Sequence, residues 1–112
     1  MGAKANLLID QGADFSTSVT VTNNDGSLTN LVGYTAAGQI RKHYTSTTAI
    51  NFVITFSSPR TLGVVNLTLT STTTGTMEAG RYVYDVELTD ANGGISRLVE
   101  GIATVTPQVT KT

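Results

Sequence analysis

The sequence has no cysteine and no tryptophan, and it has only two prolines and one histidine. Without cysteine the chain cannot form disulfides or thiolate metal ligands, and this composition fits assembly in a reducing cytoplasm. Charged residues make up 13% of the chain and the formal net charge is −1, so there is no basic surface for phosphates. No apolar run approaches the roughly 18 residues needed to cross a bilayer. We therefore expect neither a nucleic-acid partner nor a membrane partner.

Threonine takes the place of the missing charges, with 21 residues among 112. Its branched Cβ is stiff and suits the solvent-facing side of a β-strand. Large apolar residues recur at regular spacing along the chain, which argues against disorder. The length suits one domain with one hydrophobic core. We predict a single domain over residues 1–112, with residues 1–6 and 108–112 as flexible tails.

Seven short strand-like runs follow one another along the chain, and several of them alternate apolar and polar residues with period two, which is typical of strands with one wet face. In chain order they are 7–9, 15–22, 34–44, 51–56, 65–70, 82–88 and 95–105. Turn-forming strings such as 23–26 (Asn-Asn-Asp-Gly) and 90–94 (Asp-Ala-Asn-Gly-Gly) separate them, and 71–79 has room for one short helical turn. This pattern predicts an all-β fold, an immunoglobulin-like antiparallel β-sandwich of about seven strands. A small closed barrel is the alternative.

A short segment before the sixth run is similar to the tyrosine corner of immunoglobulin-like domains. Glu78 is followed by Gly80, Tyr82 and Tyr84, in the order acid-x-Gly-x-Tyr-x-core residue. In such a corner the tyrosine hydroxyl bonds back to a nearby backbone group at the start of the penultimate strand. We predict a structural corner at Gly80, Tyr82 and Tyr84, with Tyr84 where antibody domains have cysteine. An ordinary strand entry after a glycine turn is the alternative.

The chain offers little for catalysis or for binding a cofactor. Its one histidine, His43, stands between Lys42 and Tyr44, which is typical of a solvated side chain rather than a general base. One histidine without cysteine is too few for a zinc site. Asp85 and Glu87 share one strand face, but they alternate with apolar residues and are expected to face solvent rather than a cleft. We predict no catalytic residues, no cofactor and no enzyme activity.

Two loops carry oxygen atoms of the kind that calcium binds. Asp10 and Asp14 lie in one of them, and residues 23–25 (Asn-Asn-Asp) lie in the other. The Asp-x-Asp-x-Asp-Gly spacing of a calcium loop is missing, and Asn-Asn-Asp-Gly is also an ordinary hairpin turn. We therefore predict no metal site.

The order of segments resembles a known group of proteins along nearly the whole chain. Residues 31–36 read Leu-Val-Gly-Tyr-Thr-Ala, and 79–84 read Ala-Gly-Arg-Tyr-Val-Tyr. The chain ends in Gly-x-x-Arg-Leu-x-Glu-Gly (94–101) and Val-Thr-Pro-x-Val-Thr (105–110). This pattern resembles small structural proteins of tailed bacteriophages, including T4-like phages of cyanobacteria. Departures at 28–30 and at 108–111 bear little on the fold.

The resemblance implies a non-enzymatic virion protein, either an accessory or decoration protein of the capsid or an adaptor of the tail, baseplate or fibres. Its expected location is the virion, assembled in the host cytoplasm, and its expected partners are other virion proteins. Homo-oligomerisation in the particle stays open, and the group offers no binding residues to carry over.

A carbohydrate- or cell-surface-binding module is the alternative function. Most of the aromatic residues are expected in the core, which leaves Tyr44 as the one candidate platform for a sugar ring. A domain of a cell-surface adhesin is a third reading, and it would need a signal peptide or a longer chain.

Overall fold

A computed structural model describes residues 3–110 of the chain. These residues form nine strands, one short helix and one 3₁₀ turn. The strands are β1 (Ala3–Lys4), β2 (Leu7–Asp10), β3 (Phe15–Thr20), β4 (Thr35–Arg41), β5 (Ile50–Asn51), β6 (Val53–Phe56), β7 (Val64–Leu69), β8 (Gly80–Thr89) and β9 (Ile95–Thr106). The 3₁₀ turn spans Arg60–Leu62, and the helix α1 spans Ser71–Gly75.

The strands form two sheets that face each other across the core. In the larger sheet β1 and β2 both pair with β9, followed by β8, β4 and β5, and the smaller sheet has the order β3–β7–β6. β1 and β2 run parallel to β9, whereas every other pairing of the described strands is antiparallel. The predicted all-β sandwich is confirmed, and seven of its strands have four or more residues.

The core lies between the inner faces of the two sheets, where period-two alternation places the apolar residues. On β7, for example, Val65, Leu67 and Leu69 are buried and the residues between them are half-buried. The buried apolar residues are Ile9, Leu31, Ile40, Phe52, Val65, Leu67, Leu69, Met77, Tyr84, Val86, Leu88, Val99, Ala103 and Val105. The apolar residues of the alternating strands therefore face inward from both sheets and form one core.

The predicted strand over 51–56 is interrupted at Phe52, where the chain passes from one sheet to the other. The Phe52 amide donates to the carbonyl oxygen of Gly38 on β4 at 3.0 Å, and the next residue begins β6 in the opposite sheet. The Phe52 ring packs edge-on against Tyr84, with ring centroids 6.0 Å apart. Gly38 is opposite this ring, so a side chain there would lie 3.0 Å from Phe52 Cδ2. A missing side chain on β4 thus makes room for the crossover.

Residues 3–6, within the segment that the sequence predicts to be a flexible tail, lie against β9. β1 pairs with Val99 and Glu100 of β9, and the Ala5 amide donates to the Glu100 carbonyl oxygen at 2.9 Å. The cause is a glycine on β9: Gly101 has no side chain, and a Cβ there would overlap the Ala5 carbonyl oxygen. Residues 1–2 lie outside the described residues.

The predicted C-terminal tail, residues 108–112, begins at a residue that is hydrogen-bonded to the loop after β2. The Gln108 amide donates to Gln11 Oε1 at 2.9 Å. Val109 is exposed. Residues 111–112 lie outside the described residues.

Helix α1 provides the predicted helical turn and closes one end of the sandwich. The Thr73 amide donates to Thr70 Oγ1, which caps the first turn. Thr74 is fully buried, and its hydroxyl donates to the Ala13 carbonyl oxygen at 2.8 Å. In residues 3–110 we find no helix long and apolar enough to cross a membrane.

Candidate binding surfaces

The predicted corner brings Gly80, Tyr82 and Tyr84 together at the start of β8. The Tyr82 hydroxyl donates to the Glu78 carbonyl oxygen at 2.8 Å, four residues back along the chain. Gly80 has φ of +135°, a backbone conformation that favours glycine. Lys42 Nζ lies 4.7 Å from the centroid of the Tyr82 ring. Burial, together with the negative charge of Glu78, raises the pKa of the Tyr82 hydroxyl.

Tyr84 is directed into the sandwich rather than to its surface. Its hydroxyl donates to the Ala5 carbonyl oxygen at 2.6 Å, and its side chain is almost fully buried. Burial raises the pKa of this hydroxyl. The corner therefore links three parts of the chain that are distant in sequence, but it offers no open site.

Of the residues considered for catalysis, the two acids lie together on β8 and the histidine lies in a turn outside the groove that they line. His43 is exposed in the turn after β4, and its amide donates to Ser46 Oγ at 3.0 Å. Asp85 and Glu87 lie on the outer face of β8, and Asp85 Oδ2 lies 3.5 Å from Arg97 Nε. Among residues 3–110 the hydrogen bonds of His43 are those of its backbone to Ser46, and none joins its imidazole to a hydroxyl group.

The loop carboxylates serve as hydrogen-bond acceptors within turns. Asp25 Oδ1 accepts from both the amide and the hydroxyl of Ser27, and these bonds lower the pKa of Asp25. Asp14 Oδ1 accepts from the first amide of helix α1, that of Ser71, at 2.8 Å. Within residues 3–110, no group of three or more histidine or acidic side chains is placed to hold a metal ion.

The outer face of the larger sheet carries a shallow groove of about 470 Å³. On one side of it Arg97 lies between two acids, 3.1 Å from Glu100 Oε1 and 3.5 Å from Asp85 Oδ2. Lys4 Nζ lies 3.1 Å from the other oxygen of Glu100. The hydrogen bond from Lys4 and the charges of Lys4 and Arg97 lower the pKa of Glu100.

On the other side of the groove, planar polar side chains hold one another in place. Arg41 Nη2 donates to Gln39 Oε1 at 2.7 Å, and Gln39 Nε2 donates to Asn51 Oδ1 at 3.0 Å. Arg41 Nη1 also donates to the Ser46 carbonyl oxygen at 2.6 Å. This bond fixes the turn that carries Tyr44, an 85% exposed aromatic side chain that lines the groove. The groove therefore has one exposed ring beside preorganised amide and guanidinium groups.

The end of the sandwich opposite helix α1 is formed by three loops, and we call it the apolar end after the exposed aliphatic side chains that it carries among polar residues such as Asn24 and Asp25. The loops are 21–34, 57–63 and 90–94. Four exposed aliphatic side chains lie on them or at their ends: Leu28 (49% exposed), Val32 (63%), Leu62 (42%) and Ile95 (67%). A contiguous patch of exposed apolar side chains is typical of protein-contact sites, and these four lie at the same end of the sandwich.

Arg60 fixes this apolar end. Its Nη1 donates to the carbonyl oxygens of Leu31 at 3.2 Å and Tyr34 at 2.7 Å. Its guanidinium carbon lies 4.2 Å from the centroid of the Phe56 ring. The Leu31 amide in turn donates to the Arg60 carbonyl oxygen at 3.1 Å. The guanidinium group of arginine has five N–H donors and a flat face, so it can donate to carbonyl oxygens and stack on an aromatic ring at the same time.

Neither Arg60 nor the apolar end was predicted from the sequence. Arg60 follows Pro59 in an ordinary turn string, and its acceptors are backbone carbonyl oxygens about thirty residues earlier, which leave no mark in the sequence. In the sequence, Leu28 and Leu31 lead through Gly33 into the strand-like run at 34–44. The only available signal was the presence of apolar residues inside loop strings.

Comparisons with known proteins bear on the fold alone. No protein-family model matches the chain, and no curated protein matches it. Among solved structures, an internalin-like protein of Listeria monocytogenes is similar over 94% of this chain, at 16% identity and a TM-score of 0.49. The chain spans 30% of the length of that protein. At this identity and score we draw nothing about function from the likeness.

Proposed function

We propose that this chain is a non-enzymatic structural domain of a tailed-phage virion. In this role it is an accessory or decoration protein, or an adaptor, and contacts with capsid, tail or baseplate proteins hold it in place. The sequence resemblance suggests the particle, and the apolar end of the sandwich carries the proposal that the chain works by protein–protein contact.

The apolar end suits docking because it is both exposed and rigid. Val32 is 63% exposed and Ile95 is 67% exposed. The loop of Val32 is fixed through Arg60 and packs against the next loop, where a Cβ on Gly33 would lie 3.0 Å from Ala91 Cβ. A surface ordered in advance loses little conformational entropy when a partner covers it.

Mass spectrometry of purified particles tests the role. We expect the chain in particles assembled from a genome that encodes it, at a fixed ratio to the major capsid protein. A ratio near that of the capsid protein would place it on the shell, and a ratio near that of baseplate proteins would place it at the tail. Absence from the particles would overturn the proposal.

A pair of variants tests the docking surface. Val32→Asp and Ile95→Asp place a charge on the apolar end and should lower incorporation into particles. Leu8→Asp is the matched control, because Leu8 is 64% exposed on the outer face of β2, away from the three loops. Equal incorporation of all three variants, with unchanged circular dichroism, would contradict docking through this end.

The groove beside Tyr44 supports a second candidate function, the binding of a glycan. An exposed ring next to Gln39, Arg41 and Asp85 has the stacking surface and the planar hydrogen-bonding groups that sugars use. A glycan array with the purified chain tests it. Binding that is lost in Tyr44→Ala and kept in Tyr44→Phe would support the groove, and the absence of binding on the array would exclude it.

A further inference from the structure

Strand β3 is an open edge of the smaller sheet. Among residues 3–110 it pairs with β7 alone, over the full length from Phe15 to Thr20. After β3 the chain folds back on the β7 side, because the Thr29 amide donates to the Val21 carbonyl oxygen and the Asn23 amide donates to the Ser27 carbonyl oxygen. The outward edge is therefore open along all six residues of β3.

The hydrogen-bond pattern identifies the backbone groups that face outward. The Val21 amide donates to the Gly63 carbonyl oxygen at 2.7 Å, in the same register as the ladder between β3 and β7. Because hydrogen-bonded pairs alternate in an antiparallel ladder, the odd-numbered residues of β3 bond to β7. Ser16, Ser18 and Thr20 therefore direct their amides and carbonyl oxygens away from it.

Strand β3 lacks the features that prevent the edge strands of natural proteins from pairing with other chains. Such edges are short, bulged, or carry proline or charge. The other edges of the sandwich follow this rule: β5 has two residues, β6 has four, and the edge of β1 and β2 carries Lys4 and Asp10. Residues 15–20 (Phe-Ser-Thr-Ser-Val-Thr) contain no charge and no proline, and their pairing with β7 has no bulge.

We propose that β3 pairs with β3 of a second copy of this chain across a two-fold axis at Ser18. In this antiparallel register Ser18 bonds to Ser18 of the second copy, and Ser16 bonds to Thr20. Every outward amide and carbonyl oxygen of the edge then has a partner. An isologous contact of this kind closes on itself and gives a dimer rather than a fibre.

Side chains on both faces fit the same register. On the outer face Ser18 meets its own copy and Ser16 meets Thr20, so the seam holds hydroxyl groups alone. On the inner face Thr17 lies opposite Val19 and Phe15 lies opposite Val21, which are β-branched and aromatic pairs of the kind that stabilise sheets. The two smaller sheets become one continuous six-stranded sheet.

Charge also favours a second copy over an unlike partner. The outer face of the smaller sheet carries no charged side chain in the strands described: its residues are Ser16, Ser18, Thr20, Val53, Thr55, Val64, Asn66 and Thr68. Two such faces meet without repulsion, whereas the charged groups of the strands lie on the larger sheet. The dimer does not depend on the virion role, since it forms in the purified chain.

Sedimentation of the purified chain from micromolar to millimolar concentration tests the proposal. We expect a species of twice the 11.7 kDa monomer mass. Ser18→Lys places two like charges opposite each other at the axis and should raise the dissociation constant at least about tenfold. Thr55→Lys, an equal change at an exposed site on the far edge of the same sheet, should leave it unchanged.

A mixture of two variants with opposite charges at position 18 distinguishes a loss of the proposed pairing from a loss of folding. Ser18→Lys and Ser18→Glu should each be monomeric alone and should form a mixed dimer together, because position 18 faces position 18. A wild-type chain that stays monomeric throughout, or a dimer that Ser18→Lys leaves intact, would overturn the proposal. Protection of the Ser18 amide only after addition of a different protein would overturn it too.

Discussion

The Tyr84 hydroxyl donates a hydrogen bond of 2.6 Å to the carbonyl oxygen of Ala5, 79 residues earlier in the chain. The bond joins the centre of β8 to the segment between β1 and β2. The Ala5 carbonyl oxygen lies against Gly101 of β9, where a Cβ would overlap it. A core tyrosine and a strand glycine thus place the N-terminal segment.

Tyr84→Phe tests how strongly this bond holds the segment. We expect a loss of about 1 kcal/mol in the free energy of unfolding, since the Ala5 carbonyl oxygen regains water once the hydroxyl is gone. Amide exchange at Ala5 should accelerate more than exchange in the core. Tyr34→Phe is the matched control, because the Tyr34 hydroxyl has no hydrogen-bond partner among residues 3–110. Equal exchange at Ala5 in both variants would contradict the link.

Tyr82→Phe tests the corner separately. Removing the hydroxyl leaves the ring under Lys42 but takes away the bond to the Glu78 carbonyl oxygen, so we expect a loss of about 1 kcal/mol. Thermal and urea unfolding measure it, again against Tyr34→Phe. An unchanged melting temperature would mean that the corner contributes shape and no stability.

Gly38→Ala tests the crossover at Phe52. The added methyl group would lie 2.9 Å from Val86 Cγ2 and 3.0 Å from Phe52 Cδ2, so one of these side chains must move. Overpacking of this kind costs about 1 to 3 kcal/mol in unfolding free energy. Gly75→Ala is the control, because its nearest neighbour would be at 3.9 Å and alanine is the better helix residue. We expect Gly75→Ala to be neutral or slightly stabilising in urea unfolding.

The strands and their inward faces were predictable from local alternation in the sequence. The position of the N-terminal segment and the crossover between sheets were not, because they depend on contacts between distant residues. The alternation in 65–70 and 82–88 determines which side chains face inward, and no distant residue alters that outcome. The docking of Ala5 depends on Gly101, and the place where the chain changes sheets depends on Gly38, so neither can be read from its own segment. The tyrosine corner was visible because all its parts lie within seven residues.

The candidate surfaces were harder to predict for the same reason. Tyr44 was expected at the surface by elimination, since the other aromatics were needed elsewhere. The groove that Tyr44 lines depends on the hydrogen bond from Arg41 to the Ser46 carbonyl oxygen. It also depends on side chains from β4, β8 and β9, which are neighbours in the sheet but distant in sequence. Which strand edge stays open is likewise a property of topology, and the serine and threonine composition of β3 alone does not reveal it.

The Glu100 carboxylate gives a test that depends on pH. The hydrogen bond from Lys4, with the charges of Lys4 and Arg97, holds the pKa of Glu100 below its ordinary value of 4.5. A lowered pKa in the folded state means that the contact stabilises the fold above about pH 4.5 and is lost as the pH falls through the lowered value. NMR titration should show the midpoint rising in Lys4→Met and staying in place in Lys42→Met. An equal midpoint in all three proteins would contradict the contact.

Arg60→Lys tests the rigidity of the apolar end. A lysine keeps the charge but has no planar fork to reach the carbonyl oxygens of Leu31 and Tyr34 and no flat face for Phe56. We expect a loss of about 1 to 3 kcal/mol in the free energy of unfolding, because hydrogen bonds to a charged group are at stake. Arg81→Lys, at an exposed site on β8, is the matched control and should change little. Amide exchange should rise in loop 21–34 of Arg60→Lys while the core strands stay protected. If exchange rises equally across the whole chain, Arg60 stabilises the fold as a whole and is not what holds the docking end in shape.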